Sequence, residues 1–249
     1  DYFLKRGSEV FTIATDMSKA FDLALHSKMF KKMFQANLAP IYVRLLIYIY
    51  RTQQANVLWN SSERSPNFPI RNGTGQGRVF AAIAYCMYVA GLFLLLEERR
   101  AGCWVEGEYR GIWGYSDDNW AVAPSLSALQ DMISTMEEYA SSHNLKFSTD
   151  PNPVKCKTKC MAYLRKPRNL PSMVLCGTTL PWVDQLKHLG ITVTNQINGC
   201  QKDIMTKRAR FIGRSSEILQ EFHFAPPDSQ MKLHSIYKSH FTGSSGWDR

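Results

Sequence analysis

The sequence predicts an α+β fold: an antiparallel sheet with helices packed on one face, followed by a helical C-terminal region. Three observations carry this. Short apolar runs end in turn residues, as strands do: Val10-Phe11-Thr12-Ile13-Ala14 ahead of Asp16, and Tyr109–Tyr115 and Trp120–Ala123 around Ser116-Asp117-Asp118-Asn119. Between them, apolar residues recur at helical spacing, as in Phe21, Leu25, Met29 and Met33. From Gln201 onward the pattern is helical and basic (Lys202, Lys207, Arg208, Arg210, Arg214) until Pro226-Pro227 interrupts it.

Taken in order, Val10–Ala14 reads as a buried strand with Asp16 at its C-terminal end. A helix is expected from Ser18 to Phe34, with Ser18 able to cap it. Pro40 opens a second helix through about Tyr50, and Asn56–Trp59 and Asn67–Ile70 are short strand candidates around a polar turn. The glycine-rich loop Gly73-Thr74-Gly75-Gln76-Gly77 feeds an 18-residue apolar run, Val79–Leu96. That run sits at the lower edge of membrane-spanning length. Arginines flank both of its ends and give no orientation, and it contains Cys86, Gly91 and two tyrosines. A helix buried on all sides is therefore expected in place of a membrane span. The hairpin around Asp117 follows, then a helix capped by Ser125 with Leu126, Leu129, Ile133, Met136 and Ala140 on one face. Lys159–Arg165 and Val174–Cys176 are further strand candidates, and Leu186-Lys187-His188-Leu189-Gly190 is a strand-turn signal. A composition shift near Thr194 places a boundary there, dividing the chain into 1–194 and 195–249.

At 249 residues, with 45% hydrophobic and 20% charged residues, the chain is neither disordered nor a disulfide miniprotein. Residues 1–150 hold 15 basic and 15 acidic residues, whereas 151–249 hold 15 and 6, so the net charge of +9 belongs to the last stretch. That asymmetry points to a polyanion partner or to a basic solubilising surface. Six cysteines lack framework spacing and no signal peptide opens the chain, so an intracellular protein with reduced thiols is expected, nuclear and cytoplasmic locations both remaining open. Cys156 and Cys160 lack the second ligand pair of a zinc finger and read as paired cysteines on a strand. The first residue is Asp1, and the chain is expected to be a piece of a longer one.

The adjacent carboxylates Asp117 and Asp118 are set among apolar residues, with no Lys or Arg in the turn. Solvated turn residues are the plain reading. Repelling acids against apolar walls also suit a hard cation. Asp16 stands at the end of its own strand, and antiparallel neighbours could bring it beside this tip. Three carboxylates meeting there suit two Mg2+ (or Mn2+) ions about 3.5–4 Å apart, the arrangement for in-line phosphoryl transfer. Asp22 reads as a first-turn helix acid.

These residues also carry a resemblance. Asp16-Met17-Ser18-Lys19-Ala20-Phe21-Asp22 with His26, Ile70–Val79 around the glycine loop, Gly114-Tyr115-Ser116-Asp117-Asp118, Leu145-Lys146-Phe147-Ser148 with Lys157-Thr158-Lys159, and Leu186–Gly190 resemble, in order, five motifs of non-LTR (LINE-type) retrotransposon reverse transcriptases. The resemblance spans about residues 10–195 and implies a right-hand polymerase palm over 1–194, with a fingers-proximal insertion at about 23–72, followed by a partial helical thumb at 195–249.

It implies that Asp16, Asp117 and Asp118 are the catalytic and metal-binding triad of an RNA-directed DNA polymerase using two Mg2+ or Mn2+ ions. Phe21 falls where the family excludes a ribose 2′-hydroxyl, although a core phenylalanine has the same spacing. Gly75, Gln76 and Gly77 would let backbone approach template and nucleotide, and Lys157 would lie near the departing pyrophosphate or on a solvated strand. Lys187, His188 and Gly190 would seat the primer end, and Lys207, Arg208 and Arg210 would contact primer and template. The implied partners are an RNA template, a DNA primer or target and dNTPs, with no membrane. Further domains, including an upstream endonuclease, are expected in the parent chain. Asn119-Trp120 departs from the two aliphatics the family has after its Asp pair, which bears on hairpin packing. The family's fingers motifs would precede Asp1, so this piece alone is expected to be inactive. Two rival readings are a degenerate retroelement remnant that binds nucleic acid without catalysis and a viral RNA-directed RNA polymerase palm.

Overall fold

Strand β1 (Val10–Asp16) has six of its seven residues buried, which fits a β-branched and aromatic run at the centre of a sheet. The computed structural model describes residues 2–59, 63–75, 80–196 and 199–221. After β1 come helices α1 (His26–Gln35), α2 (Pro40–Thr52) and α3 (Ala81–Glu98). Next are β2 (Ile112–Tyr115), β3 (Asp118–Ala123), α4 (Leu126–Ser142) and β4 (Lys159–Tyr163). The four strands form one sheet in the order β4-β1-β3-β2, every neighbour antiparallel. A hairpin of β5 (Met173–Leu175) and β6 (Thr178–Leu180) follows, then β7 (Gln185–His188), and these complete a first compact unit over residues 1–190. The second unit, from residue 191, holds β8 (Ile191–Thr194) and the basic helix α5 (Gly199–Glu221). The compositional boundary expected near Thr194 falls inside it, and Gln76, Gly77 and Pro226-Pro227 lie outside the described residues.

The sheet has two unlike faces. Ile13 is opposite Ala121 on one side and Cys160 on the other, and all three are fully buried with Phe11, Ala123 and Ala162 in the core. Leu129, Met132, Ile133 and Met136 of α4 and Tyr85, Leu92 and Leu96 of α3 complete that core, each apolar side chain contributing about 1.5–3 kcal/mol by burial. On the opposite pleat, Asp16 and Asp118 share a face with Trp113, Trp120 and Tyr115, of which Tyr115 is 70% exposed. The core holds the sheet from behind and leaves the acidic face open. Ser125 caps α4 as expected, its Oγ accepting from the Ala128 amide at 3.1 Å.

Three expectations need correction. The helix expected over Ser18–Phe34 is broken: one turn at Ala20–Leu23, then extended backbone at Leu25, then α1. The break has a tertiary cause. Leu25 bridges Asn72 and the Ala24 carbonyl accepts from the Gly73 amide at 2.8 Å, so these residues are used to dock the glycine loop. Ser18 caps nothing; its Oγ lies 2.6 Å from Ser148 Oγ. The hairpin turn is also tighter than expected, with Asp118 already in β3 and Tyr109 in a separate short pairing with Trp104. Finally, α3 is not buried on all sides. Tyr85, Tyr88, Val89 and Leu92 face the core, while Ile83 and Leu94 are 54% and 59% exposed. It is long and apolar enough to cross a membrane, yet its hydroxyls serve the interior: Tyr85 donates to Met17 Sδ at 3.1 Å, and Tyr88 donates to the His143 carbonyl.

Candidate active site

Register alone brings the first two acids together. Asp16 is the residue directly opposite Asp118 between β1 and β3, and cross-strand partners of an antiparallel pair project to the same face with Cβ atoms about 4.5–5.5 Å apart. Asp117 joins them from the two-residue turn between β2 and β3. That turn is held in an unfavourable shape: Ser116 has φ 61, a left-handed conformation that non-glycine residues adopt at a cost. The departure at Asn119 is structural. Its side chain is fully buried and donates to the Asp117 carbonyl at 3.4 Å, tying the turn to the sheet. Gly114, opposite Asn119, lies where a Cβ would stand 2.5 Å from the Phe93 ring of α3 and 2.6 Å from Asn119 Oδ1.

The electrostatics agree with the geometry. Burial raises the Asp118 carboxyl above its ordinary pKa, and the charges of Asp117 and Asp16 raise it further, while His188 and Lys157 oppose them. The acids therefore sense one another. Sequence reasoning found no basic residue in the turn; the fold supplies one, with a hydroxyl donor beside it, from elsewhere. Lys157 Nζ is 3.4 Å from Asp16 Oδ2, and Ser148 Oγ donates to that same oxygen at 2.5 Å. Neither contact was legible locally, since Ser148 and Lys157 follow Asp16 by 132 and 141 positions.

An open cavity of about 560 Å³ lies in front of these groups, lined among others by Asp16, Asp117, Lys19, Lys146, Ser148 and Lys157. Among the described residues no three or more Asp, Glu, His or Cys side chains stand close enough together to hold a metal ion as they are placed. The donor types nevertheless suit a hard dication: Asp16 and Asp118 are cross-strand neighbours on one face, Asp117 lines the same cavity as Asp16, and His188 and Lys157 offset only part of the repulsion at Asp118.

The remaining expected residues fall into three places. Phe21 lies on the single turn after β1, partly buried, its ring 4.8 Å from that of Tyr85. Gly75 has φ 65 and follows a tightly docked stretch: Gly73 (φ 88) faces the backbone of Phe21 and Asp22, and the Thr74 amide donates to the Phe21 carbonyl at 2.8 Å. His26, quoted within the first motif without a role, holds this loop, its Nε2 lying 2.7 Å from the Gly73 carbonyl oxygen. Lys187 is exposed, the His188 ring stands 5.1 Å from the Trp120 ring, and Gly190 has φ 77 in the turn that follows. In the second unit, Lys207 pairs with Asp203 at 2.9 Å along α5, while Arg208 and Arg210 are exposed.

Residues 2–193, which contain the whole sheet and its acids, match the family model described as reverse transcriptase (RNA-dependent DNA polymerase). The chain belongs to the reverse transcriptase family. Similar solved structures agree on the fold. A telomerase from Candida tropicalis with a TWJ fragment of telomeric RNA is 12% identical with a TM-score of 0.52, covering 76% of this chain and 29% of that one. An apo telomerase from Candida tropicalis, truncated from its C-terminal domain, is 13% identical with a TM-score of 0.51, covering 77% and 36%. A telomerase from Candida albicans with a TWJ fragment of telomeric RNA is 12% identical with a TM-score of 0.51, covering 78% and 32%. The reverse transcriptase chain thus spans about a third of the length of the telomerase chains it matches. No curated protein matches it. The β4-β1-β3-β2 sheet with its backing helices is a reverse transcriptase palm.

Proposed function

We propose that this palm serves an RNA-directed DNA polymerase of a non-LTR retrotransposon, extending a DNA primer on an RNA template. The observation that carries the reading is the cross-strand pairing of Asp16 with Asp118, with Asp117 on the adjoining turn. The retrotransposon assignment is supported by the Asp16–Asp22 run with His26 and by Gly114–Asp118, as they stand in the sequence.

In the proposed reaction the primer 3′-oxygen attacks the α-phosphorus of a dNTP, the new P–O bond forms as the bond to pyrophosphate breaks, pyrophosphate leaves with that electron pair, and the 3′-hydroxyl proton passes to solvent water. Asp16, Asp117 and Asp118 would hold two Mg2+ or Mn2+ ions, which when bound lower the pKa of the attacking hydroxyl and offset the charge of the leaving phosphates. The chain's own groups do the rest. Lys19, Lys146 and Lys157 line the cavity in front of the acids and favour phosphate oxygens there. Phe21, its ring held against that of Tyr85, is assigned to rejecting a 2′-hydroxyl. Gly75, and with it the glycine loop held by His26, offers close backbone approach to template and nucleotide. Lys187, His188 and Gly190 are assigned to the primer end, and Lys207, Arg208 and Arg210 to salt-dependent phosphate-backbone contacts.

We further propose that the chain acts within a longer protein carrying fingers and an endonuclease, and that by itself it does not polymerise. The test is primer extension on an RNA template by that longer protein, with dNTPs and with rNTPs. The reading expects DNA synthesis that Asp118→Asn reduces at least a hundredfold, about 2.7 kcal/mol of barrier. Preferred rNTP incorporation, or extension indifferent to Asp118→Asn, would overturn it.

A further inference from the structure

Asp16 is the most heavily restrained of the three acids. Its Oδ2 accepts from Ser148 Oγ at 2.5 Å and lies 3.4 Å from Lys157 Nζ. Ser148 also donates its amide to the Asp16 carbonyl at 2.7 Å, so one residue grips both the side chain and the backbone of Asp16. The bracket is braced again: the Ser18 amide donates to the Lys146 carbonyl at 2.8 Å, Met17 bridges Phe147, and the Thr158 amide donates to the Ser148 carbonyl at 3.2 Å. The last of these ties the segment bearing Lys157 to the serine. Asp117 and Asp118 have no such partners among the ion pairs of the described residues, although Asp118 senses His188 and Lys157 at longer range.

We infer that Lys157 is a resident counter-ion of the acidic site, its ammonium standing on Asp16 in the cation-free protein and yielding that place when a divalent cation enters. Ser148 is a positioning residue that keeps the Asp16 carboxylate aimed at the cavity during the exchange. This rests on the assignment of Asp16, Asp117 and Asp118 as a cation site. It assigns Lys157 a role in cation entry, distinct from the phosphate contact proposed above.

The physical argument is one of competing charges. Asp16 and Asp118 point to one face, and bringing such carboxylates together without a cation is unfavourable. A lysine ammonium relieves part of that repulsion, but it is compact, strongly hydrated and on a flexible stem. The Lys157 side chain is 68% exposed and that of Asp16 26%, so the lysine has water to move into and the carboxylate stays in place. A dication offers twice the charge and takes oxygens from several carboxylates at once, which one ammonium cannot do. A cation that takes Asp16 Oδ2 therefore competes with this lysine, and the lysine's charge weakens its binding.

The experiment is calorimetric titration of the purified chain with Mn2+, comparing wild type, Lys157→Gln, Lys157→Arg and Asp118→Asn, with the fold of each checked by circular dichroism. Lys157→Gln is expected to bind Mn2+ roughly two- to tenfold more tightly, in keeping with the modest worth of an exposed ion pair. Lys157→Arg, which keeps the charge, is expected to stay within about twofold of wild type. Unchanged or weaker binding by Lys157→Gln, or an arginine variant that behaves like the glutamine one, overturns the inference. The assignment of the acids fails separately, if Asp118→Asn binds Mn2+ as wild type does. If neither wild type nor Lys157→Gln binds saturably, both fall.

Discussion

His26 Nε2 lies 2.7 Å from the carbonyl oxygen of Gly73, and this contact joins the first residue of α1 to the glycine loop. The His26 ring stands edge-on to Tyr50 at 4.9 Å, which fixes its orientation. His26→Ala leaves the partly buried carbonyl without that donor and is expected to destabilise the protein by about 1–3 kcal/mol in urea denaturation. His26→Gln, which keeps a donor, should recover part of the loss.

Gly73 is required by space as well as by φ. At φ 88, a Cβ would stand 3.0 Å from the carbonyl oxygens of Phe21 and Asp22. Gly107 has a similar φ of 83 with nothing within 4 Å of its Cβ position. Gly107→Ala should therefore cost about 1 kcal/mol, the conformational part alone, and Gly73→Ala distinctly more, about 2–4 kcal/mol. Thermal denaturation of the two variants makes the comparison, and equal losses would show that the close approach at Gly73 is unimportant.

How much of this was legible in the sequence depends on the range of the interaction. The strand ending at Asp16, the Asp117-Asp118 turn and the Ser125 cap are set by neighbouring residues and read directly. The break at Ala24–Leu25 is set by Asn72 and Gly73, nearly fifty positions on, and helical spacing carries no sign of it. Lys157 and Ser148 reach Asp16 from still farther away. The exposed apolar side of α3, with Ile83 and Leu94, has no periodic signal because the helix is apolar all round. Charge was blurred by where the chain was divided. Within residues 23–96 there are eight basic residues and one acid, hidden by acids elsewhere in the first 150.

The pH dependence of stability follows from Asp118. Burial, then Asp117 and Asp16, raise its folded pKa above the ordinary 3.8, so the folded protein holds that proton more tightly than the unfolded chain. Its contribution is fully present below the ordinary value and is lost as pH rises through the raised one. Asp118→Asn removes this liability. In the absence of divalent cations it should be more stable than wild type at neutral pH by up to about 1 kcal/mol after solvent screening, the difference vanishing as pH falls toward the ordinary carboxyl value. Denaturant titrations across that window test it, and a variant less stable at neutral pH would contradict the proposed repulsion.

Gly114→Ala pushes a methyl group toward the Phe93 ring and Asn119 Oδ1. A loss of about 1–3 kcal/mol is expected, as for overpacking. Phe93→Leu in the same chain should recover part of it, giving a favourable coupling in a double-mutant cycle.

The central claim is that Asp16, Asp117 and Asp118 act as one divalent-cation site, and electron paramagnetic resonance of free Mn2+ against protein measures this most directly. The account predicts saturable binding that Asp16→Asn, Asp117→Asn and Asp118→Asn each weaken by about tenfold or more, some 1.4 kcal/mol apiece. Saturable binding that survives Asp16→Asn unchanged would place the cation elsewhere and contradict the account.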